Sequence, residues 1–359
     1  MNFASDNASG ASRSVLERML VVNSGPSPAY GGDDNSRNAQ ALLSALFERE
    51  VAAFLVPTGT AANALALGAL TPPGGGIFCH DEAHVIDDEC GAPEFFTHGG
   101  KLVGIPGVGG KVTPAALTQT LARFPRGVAR QVPPATLSLS QATECGTLYT
   151  PAEIAALSAV ARGAGVAVHL DGARFANALA GLGCSAADMT WRAGVDVLSF
   201  GCTKNGAVAC EAVVFFDPAQ AATFDVQRKR GGHTFSKGRF LGAQMEAMLE
   251  GGHFLELAAH ANRAARRLAD GLASLPGVRL AFPTEANEVF PIMPARAEAA
   301  LKAAGARYYP WATRSVAPEL APRDGEVMLR LVASFATQDA EVDAFVAHVS
   351  FALHVRAAP

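Results

Sequence analysis

The amino-acid sequence predicts an α/β protein, with a mostly parallel sheet in a large domain and a smaller α+β domain at its C-terminal end. Short apolar runs alternate with helical patterns between residues 51 and 216, which is typical of a parallel sheet covered on both faces. Beyond Pro276 the apolar runs become shorter and more closely spaced, which indicates a second region. Because 359 residues exceed the usual size of one core, we expect two domains, 1–250 and 251–359.

The composition restricts the classes of protein to which the chain can belong. Charged residues make up 17% and the formal net charge is −4, which disfavours a general nucleic-acid binder. The six cysteines lack a C-x-x-C pair, which is typical of reduced thiols. We find no secretory signal, membrane-spanning run or metal-ligand motif, so we expect a cytoplasmic protein without a metal site. The motifs of serine hydrolases, P-loop nucleotide hydrolases and zinc proteases do not occur.

Residues 1–38 form the first region and are rich in Ser, Asn, Gly, Asp and Pro. A disordered tail is one interpretation of this composition. The polar residues Ser5-Asp6-Asn7 and the turn from Tyr30 to Asp34 instead suit an arm folded over a site. The composition favours neither alternative.

A strand candidate from Val51 to Val56 leads into the segment Pro57-Thr58-Gly59-Thr60-Ala61-Ala62-Asn63, and we expect a helix from Ala64 to Leu70. Small residues allow the backbone to approach a ligand, and Thr60 is placed to cap the helix. The first N–H groups of a helix attract anions. The segment therefore predicts an anion site in which Gly59 and Thr60 take part.

Alternating strands and helices continue along the rest of the chain. The further strand candidates are 77–79, 102–105, 135–140, 166–170, 197–200, 212–216, 278–282, 288–292 and 327–333. The further helices are expected at 114–123, 151–162, 295–304 and 339–353, with a long one over 238–272 that is interrupted at Gly251-Gly252. Ligands of such sheets bind at the carboxyl ends of the strands, so we look for the site there.

Charged residues follow two of these strand candidates. The run VAVHL ends at Asp171-Gly172-Ala173-Arg174, and the run LSFG is followed by Cys202-Thr203-Lys204. Pyridoxal phosphate (PLP) requires a lysine amine that bonds to its aldehyde carbon and a carboxylate that keeps its ring nitrogen protonated. The alternatives are a helix N-cap for Asp171 and an ordinary surface amine for Lys204. We adopt PLP binding as the working hypothesis.

Arg330 lies within an apolar strand candidate, Met328 to Val332, where an unpaired guanidinium would be costly. An anion should therefore lie beside it. A structural carboxylate, Glu326 or Glu288, is one possible partner, and the carboxylate of an amino-acid substrate is the other.

Taken together, the motifs resemble the L-threonine aldolases of the low-specificity or phenylserine type, which are fold type I PLP-dependent enzymes. The resemblance extends over nearly the whole chain, from Phe3 to the strand of Arg330. Its most specific parts are Thr58-Gly59-Thr60-Ala61-Ala62-Asn63, Ala83-His84 with Glu89 and Gly91, His169-Leu170-Asp171-Gly172-Ala173-Arg174, and Thr203-Lys204.

The resemblance implies retro-aldol cleavage of threonine, allo-threonine or a related β-hydroxy-α-amino acid to glycine and an aldehyde. It also implies a homotetramer whose active sites form between subunits. The implied catalytic residues are Lys204, His84, Glu144 and Glu89. The implied cofactor-binding residues are Gly59, Thr60, His84, Asp171, Arg174, Lys204, Arg228 and Lys229. The implied substrate-binding residues are Ser5, Arg174, Arg330 and Tyr30.

One motif departs from the family pattern. Many members carry a histidine in N-T-H-N-G, whereas this chain reads Gln141-Ala142-Thr143-Glu144-Cys145-Gly146. The glutamate leaves open which group meets the β-hydroxyl and whether threo or allo substrates are preferred. A β-eliminating lyase or an amino-acid racemase would use the same aspartate and lysine, and a non-catalytic scaffold with this fold is the remote alternative.

Overall fold

The structure is a computed structural model that describes residues 1–354, so residues 355–359 of the predicted C-terminal domain lie outside the described residues. Within that range the helices are α1 (Arg13–Val22), α2 (Asp34–Leu46), α3 (Gly59–Leu70), α4 (His84–Asp87), α5 (Ala92–Phe96), α6 (Pro114–Leu121), α7 (Pro151–Gly163), α8 (Phe175–Leu182), α9 (Phe224–Arg230), α10 (Arg239–Leu249), α11 (His253–Ala273), α12 (Ala295–Ala303) and α13 (Asp339–His354). The strands are β1 (Ala52–Val56), β2 (Gly76–His80), β3 (Lys101–Ile105), β4 (Pro134–Ser140), β5 (Ala167–Gly172), β6 (Val197–Gly201), β7 (Glu211–Phe215), β8 (Arg279–Leu280), β9 (Glu288–Val289), β10 (Pro291–Pro294), β11 (Tyr309–Pro310) and β12 (Glu326–Val332).

A seven-stranded sheet with the order β1-β7-β6-β5-β4-β2-β3 forms the centre of the larger part of the molecule. Strands β3, β2, β4, β5 and β6 run parallel, whereas β7 is antiparallel to both β6 and β1. Strands β2, β6 and β7 are buried along their whole length, because helices cover both faces of the sheet. The predicted α/β fold with a mostly parallel sheet is confirmed.

The carboxyl ends of β4, β5 and β6 lie side by side at one edge of this sheet. Ser140 is in register with Asp171, and Asp171 is in register with Ser199. The loops that follow these strands therefore begin within a few ångströms of one another. This edge is where a ligand site is expected in an open parallel sheet.

A smaller antiparallel sheet follows, with the order β11-β12-β10-β8, and β9 pairs with β12. Helices α11, α12 and α13 pack on it, and its core contains Leu268, Leu329, Leu331 and Phe345. The predicted smaller α+β part is confirmed. Its boundary between residues 250 and 251 stays a prediction.

The N-terminal arm is folded onto this smaller sheet. Phe3 donates its backbone N–H to Arg307 at 2.8 Å and accepts one from Val332 at 2.9 Å. Its fully buried ring packs on Phe345, with the ring centroids 5.2 Å apart. Of the two interpretations of the arm, the folded one is correct, and the next residues, Asp6 and Asn7, enter the larger part of the molecule.

Helix α3 begins earlier than the composition indicated, at Gly59 rather than at Ala64. The predicted cap by Thr60 is wrong, because Thr60 lies inside the first helical turn. Thr58 is the capping residue, with an extended backbone and a side chain that accepts a hydrogen bond from Ala61 at 3.1 Å.

The predicted interruption of the long helix at Gly251-Gly252 is confirmed. Both glycines have positive φ angles, 63° and 76°, which break the helical path between α10 and α11. Helix α11 is 21 residues long. Even so, none of the helices in residues 1–354 is both long and apolar enough to cross a membrane.

Candidate active site

A cavity of about 280 Å³ opens at the carboxyl ends of the parallel strands, which is near the lower end of small-ligand pockets. Seven of the predicted site residues line it: Gly59, Thr60, His84, Glu144, Asp171, Arg174 and Lys204. These residues come from five separate stretches of the chain. The fold therefore brings the core of the predicted site together.

Lys204 lies in a tight turn after β6, and hydrogen bonds hold the turn on both sides. Before it, the Cys202 backbone N–H donates to Glu211 Oε2 at 2.7 Å. After it, the Asn205 side chain donates to the carbonyl of Phe254 at 2.8 Å. The lysine is partly buried, and its amine forms no ion pair with any residue from 1 to 354. Its position suits a nucleophilic amine.

Asp171 is 5% exposed at the end of β5, and each of its two carboxylate oxygens accepts a hydrogen bond. Oδ1 accepts from the Ala173 backbone at 3.0 Å, and Oδ2 accepts from Asn63 Nδ2 at 2.8 Å. Each carboxylate oxygen keeps a lone pair for a further donor. Asp171 is not a helix cap, because α8 begins at Phe175 with Arg174 in the cap position.

The start of α3 forms the second wall of the cavity. Thr58 accepts the N–H groups of Ala61 and Ala62, at 3.1 Å each, and leaves those of Gly59 and Thr60 for another acceptor. A Cβ atom placed on Gly59 would have no heavy atom of residues 1–354 within 4 Å. The open space beside these free N–H groups is the kind of site in which helices bind phosphate.

His84 and Glu89 form a hydrogen-bonded pair at the third wall. His84 Nδ1 donates to Glu89 Oε1 at 2.9 Å, and the glutamate is 4% exposed. This hydrogen bond raises the pKa of His84 above its usual value, although burial opposes the rise. The pair leaves the Nε2 atom of His84 available for a ligand, as in other acid–base pairs in which a carboxylate orients the imidazole.

Glu144 lies in a loop that is closely held by its neighbours. Thr143 and Thr147 both donate to the Gly109 carbonyl, at 3.1 and 2.6 Å. Gln141 exchanges hydrogen bonds with the backbone of Tyr149 on the other side of the loop. The glutamate is therefore presented to the cavity from a rigid support.

Arg174 lines the cavity, but two carboxylates already occupy part of its guanidinium. Its Nε and Nη2 atoms donate to Asp6 at 2.8 and 3.1 Å, and Nη2 lies 3.6 Å from Glu288. Burial opposes the ionisation of Asp6, yet Arg174 and Lys204 bring the pKa of Asp6 below its usual value. The cluster joins the N-terminal arm, the end of β5 and the smaller sheet.

Arg330 lies beside this cluster rather than in the wall of the cavity. Its Nε atom is 3.9 Å from Glu288, which is one of the two structural partners expected from the sequence. Its guanidinium also stacks on Trp311, 4.7 Å from the ring centroid. Burial raises the pKa of Glu288, and the two arginines oppose that rise.

The remaining predicted site residues lie outside the cavity. Ser5 caps the short 3-10 turn Asp6–Ala8 and accepts from the Asn7 backbone. Tyr30 and Arg228 line a separate cavity, and the Lys229 amine lies 4.7 Å from the centroid of the Tyr30 ring. A single chain therefore does not bring Tyr30, Arg228 or Lys229 to the cavity. Their role at a neighbouring subunit's site stays a prediction.

Four residues of the site were given no role by the sequence: Asp6, Asn7, Asn63 and Glu211. Three of them, Asp6, Asn7 and Asn63, belong to polar or small-residue motifs whose partners only the fold reveals. Glu211 begins the buried strand β7, and a charged residue before an apolar run was a usable signal. Burial raises the pKa of Glu211 to about 7.

The residues of the cavity fit PLP on three grounds. Gly59 and Thr60 offer N–H groups and open space for the phosphate. Asp171 offers a buried carboxylate for a protonated ring nitrogen. Lys204 offers an amine at the same cavity for the aldehyde carbon. The donor set matches the chemical groups of the cofactor one by one.

Comparison with known proteins agrees with this fit. The model of the beta-eliminating lyase family matches residues 2–295. The low specificity L-threonine aldolase of Pseudomonas sp. (strain NCIMB 10558) is 44% identical over 86% of this chain and 88% of its own length. The enzyme of the same name from Pseudomonas aeruginosa is 45% identical over the same shares. The threonine aldolase structure of Leishmania major superposes with a TM-score of 0.90 and 29% identity, covering 98% of both chains.

The fold and the site thus define a fold type I PLP-dependent lyase. The family model covers most of the chain, and the sequence identity to the two Pseudomonas enzymes is 44% and 45%. The chain belongs to the beta-eliminating lyase family, among the L-threonine aldolases. The resemblance noted in the sequence is confirmed.

Proposed function

We propose that this protein cleaves threonine, allo-threonine and related β-hydroxy-α-amino acids, such as phenylserine, to glycine and an aldehyde. The observation that carries this proposal is the common cavity of Lys204, Asp171 and the His84–Glu89 pair. The first two suit PLP, and the pair suits removal of a proton from a β-hydroxyl group. The names of the two Pseudomonas relatives support the same reaction.

The cofactor would be held at three points in the cavity. Lys204 would hold its aldehyde carbon, Asp171 its ring nitrogen, and the N–H groups of Gly59 and Thr60 its phosphate. His84 would pack on the ring. When bound, PLP supplies an acceptor for the electron pair that stays on Cα after the Cα–Cβ bond breaks.

The substrate carboxylate would bind to the arginine side of the site. Arg174 lines the cavity, and in residues 1–354 its Nη1 atom makes no hydrogen bond. Arg330 carries a buried Nε without a hydrogen-bond partner in the same range. Two arginines and the Ser5 hydroxyl would fix the rotation of the substrate, so that the breaking bond takes the required orientation.

The proton of the β-hydroxyl group would pass to Nε2 of neutral His84. The hydroxyl carbon then becomes the carbonyl carbon of the aldehyde, as the Cα–Cβ bond breaks and its electrons remain on Cα. Glu89 would stabilise the imidazolium that forms, because its Oε1 atom accepts a hydrogen bond from Nδ1 at an N–O distance of 2.9 Å. One proton added to Cα completes glycine, and the proton that His84 took from the β-hydroxyl group balances it when His84 returns to its neutral form.

Glu144 would decide how the β-substituent is placed. It faces the same cavity as His84, and its charge acts on the imidazole. It would accept a hydrogen bond from the β-hydroxyl, directly or through a water that also contacts His84. The preference between threo and allo substrates would depend on this contact.

The assembly would be a cytoplasmic homotetramer in which subunits complete each other's sites. Tyr30, Arg228 and Lys229 lie together at a second cavity on one chain. The Arg228 Nε is buried without a hydrogen-bond partner in residues 1–354, and the Tyr30 side chain is 57% exposed. These groups would contact the cofactor site of a neighbouring subunit.

β-Elimination is the second candidate, because the matching family model is that of beta-eliminating lyases. Such an enzyme would use Lys204 to remove the Cα proton and would release ammonia and a keto acid. An amino-acid racemase would need the same lysine but would release neither product.

A product assay over a panel of β-hydroxy amino acids separates these reactions. We expect the purified protein loaded with PLP to release glycine and acetaldehyde from threonine or allo-threonine, and benzaldehyde from phenylserine. Ammonia and a keto acid without aldehyde would contradict the aldolase proposal in favour of elimination. A change in chirality without either product set would favour racemisation.

A further inference from the structure

Asn63 lies between the two functional halves of the cavity. Its Nδ2 atom donates to Glu89 Oε1 at 2.8 Å and to Asp171 Oδ2 at 2.8 Å. All three residues are at most 5% exposed. One amide nitrogen therefore joins the partner of His84 to the carboxylate assigned to the cofactor ring.

The chemistry of the amide fixes its orientation. An amide NH₂ group has two hydrogens, and here each carboxylate receives one. The reverse orientation would place the carbonyl oxygen between two carboxylates, with no hydrogen to offer either. The Oδ1 atom is instead buried without a hydrogen-bond partner in residues 1–354, at a cost that the two charge-assisted bonds offset.

An amide nitrogen also cannot take up a proton near neutral pH. A water molecule or a hydroxyl group between two carboxylates can pass a proton from one to the other. The NH₂ group of Asn63 can only donate hydrogen bonds. The proton held by His84 and Glu89 therefore has no path through this group to Asp171. This separation matters if the first pair handles the β-hydroxyl proton while Asp171 keeps the ring nitrogen protonated.

We propose that Asn63 is a positioning residue that holds the Glu89 and Asp171 carboxylates side by side through one hydrogen bond to each and separates the proton of the His84–Glu89 pair from Asp171. The consequence rests on the proposed function. The bridge itself rests only on the two hydrogen bonds of Asn63 and on the burial of its partners.

The charges around Asn63 determine whether loss of its hydrogen bonds strengthens or weakens proton binding at the site. The ionisable groups around these two carboxylates are His84, Glu144 and His169, and the cations Arg174 and Lys204 line the same cavity as Asp171. Burial raises the pKa of Glu89, and the donors His84 and Asn63 oppose that rise. Loss of the Asn63 donor makes the surroundings of both carboxylates more negative. The proton affinity of the His84–Glu89 pair and of the cofactor site should then increase.

The test compares pH titrations of Asn63→Ala, Asn63→Asp and wild-type protein, all loaded with PLP. The first readout is the pH midpoint of the visible absorbance of bound PLP without substrate, and the second is the acidic limb of kcat/KM. A hydrogen bond to a charged group corresponds to about one pH unit or more. We expect upward shifts of that order in Asn63→Ala and larger ones in Asn63→Asp, which has the same shape but adds a charge.

Asn177→Asp is the matched control, because Asn177 is 4% exposed and bonds to Asn262 instead of a carboxylate. It should lower stability without moving either midpoint. Should Asn63→Ala fail to bind PLP, Asn63→Ser retains one donor for one carboxylate and should give a smaller shift.

Unchanged midpoints in folded Asn63→Ala and Asn63→Asp proteins would overturn the inference, even if activity fell evenly at all pH values. The absorbance titration needs no substrate. A shift there without aldehyde release would keep the bridge and reject the aldolase proposal.

Discussion

The two sides of the cavity are built in different ways. The cofactor side consists of Asp171, Lys204 and Gly59, each of which lies at or just after the end of a strand of one sheet. The arginine side consists of Asp6, Arg174, Glu288 and Arg330, which come from the N-terminal arm, the segment after β5 and two strands of the smaller sheet. The first side depends on local strand ends, and the second depends on the contact between the two sheets.

The charges on the two sides differ accordingly. On the cofactor side, Asp171 receives only neutral donors from residues 1–354, so its charge remains available for a ligand. On the other side, two arginines and two carboxylates balance each other before any substrate binds. A substrate carboxylate bound by these arginines, as proposed, would share them with Asp6 and Glu288. Substitutions on the cofactor side should therefore impair chemistry, and substitutions on the other side should also impair stability.

Lys204→Ala tests the cofactor side and should have the largest effect. Without the amine, the protein should lose the visible absorbance of covalently held PLP, and turnover should fall below detection. Stability should change little, since the amine has no ion-pair partner within residues 1–354. Lys302→Ala is the control, because Lys302 pairs with Glu298 on an exposed helix. A yellow and active Lys204→Ala protein would reject the assignment.

Arg174→Ala and Arg330→Ala test the other side, and the two variants should differ in stability. Both should severely reduce kcat/KM if both arginines hold the substrate carboxylate. Only Arg174→Ala should also destabilise the fold, by about 3–5 kcal/mol, because it leaves Asp6 buried without its cation. Arg330 is 3.9 Å from Glu288 and less buried, so its loss should cost much less stability. Kinetics and urea unfolding of each variant measure the two effects.

Arg267→Ala is the control for both arginine variants. Arg267 pairs with Asp343 across exposed helices, and such pairs contribute about 1 kcal/mol or less. Normal kcat/KM in Arg330→Ala would remove that residue from the substrate site. Equal loss of stability in Arg174→Ala and Arg330→Ala would show that the two arginines act as one structural cluster.

The same contrast explains what could be predicted from the sequence. Asp171 and Lys204 end apolar runs, and the rule that strand ends meet at one edge of a parallel sheet sufficed to place them together. The small-residue segment before α3 pointed to Gly59, and the family resemblance added roles for His84 and Arg174; the fold brings all three to the same cavity. The mostly parallel sheet and the interrupted helix followed from periodicity and glycines.

Long-range partners could not be predicted in this way. No local pattern links Asp6 to Arg174, which lies 168 residues away in the chain, or Asn63 to Asp171, 108 residues away. The cap at the start of α3 was misplaced because Thr58 and Thr60 have equal propensity, and only the backbone angles distinguish them. Glu288 was anticipated as one partner of Arg330, but its second contact with Arg174 required the fold.

His169 tests the sheet beneath the cofactor side and should give the smallest effect. Its ring nitrogens exchange hydrogen bonds with Ser138 and Ser199, at 2.9 Å each. Burial lowers its pKa from 6.5 to about 4, although Asp171 opposes the shift. The unfolded chain therefore binds this proton first as the pH falls. The resulting loss of stability begins near pH 6.5 and ends near pH 4, and above pH 6.5 the full stability is present.

Between pH 7 and pH 5 the wild type should therefore lose about 2 kcal/mol more unfolding free energy than His169→Gln, whose side chain does not titrate. Urea unfolding at both pH values, at fixed protein and PLP concentrations, measures this difference, and the contributions of other groups cancel between the two proteins. Ser138→Ala keeps the histidine and removes one partner, so it should retain the pH dependence of the wild type. Equal pH dependence in wild type and His169→Gln would mean that the imidazole has the same pKa in the folded and the unfolded protein, so that burial does not disfavour its charged form. The sheet beneath Asp171 would then accept an imidazolium at no cost, and the contrast between a cofactor side held by neutral donors and an arginine side held by ion pairs would fail.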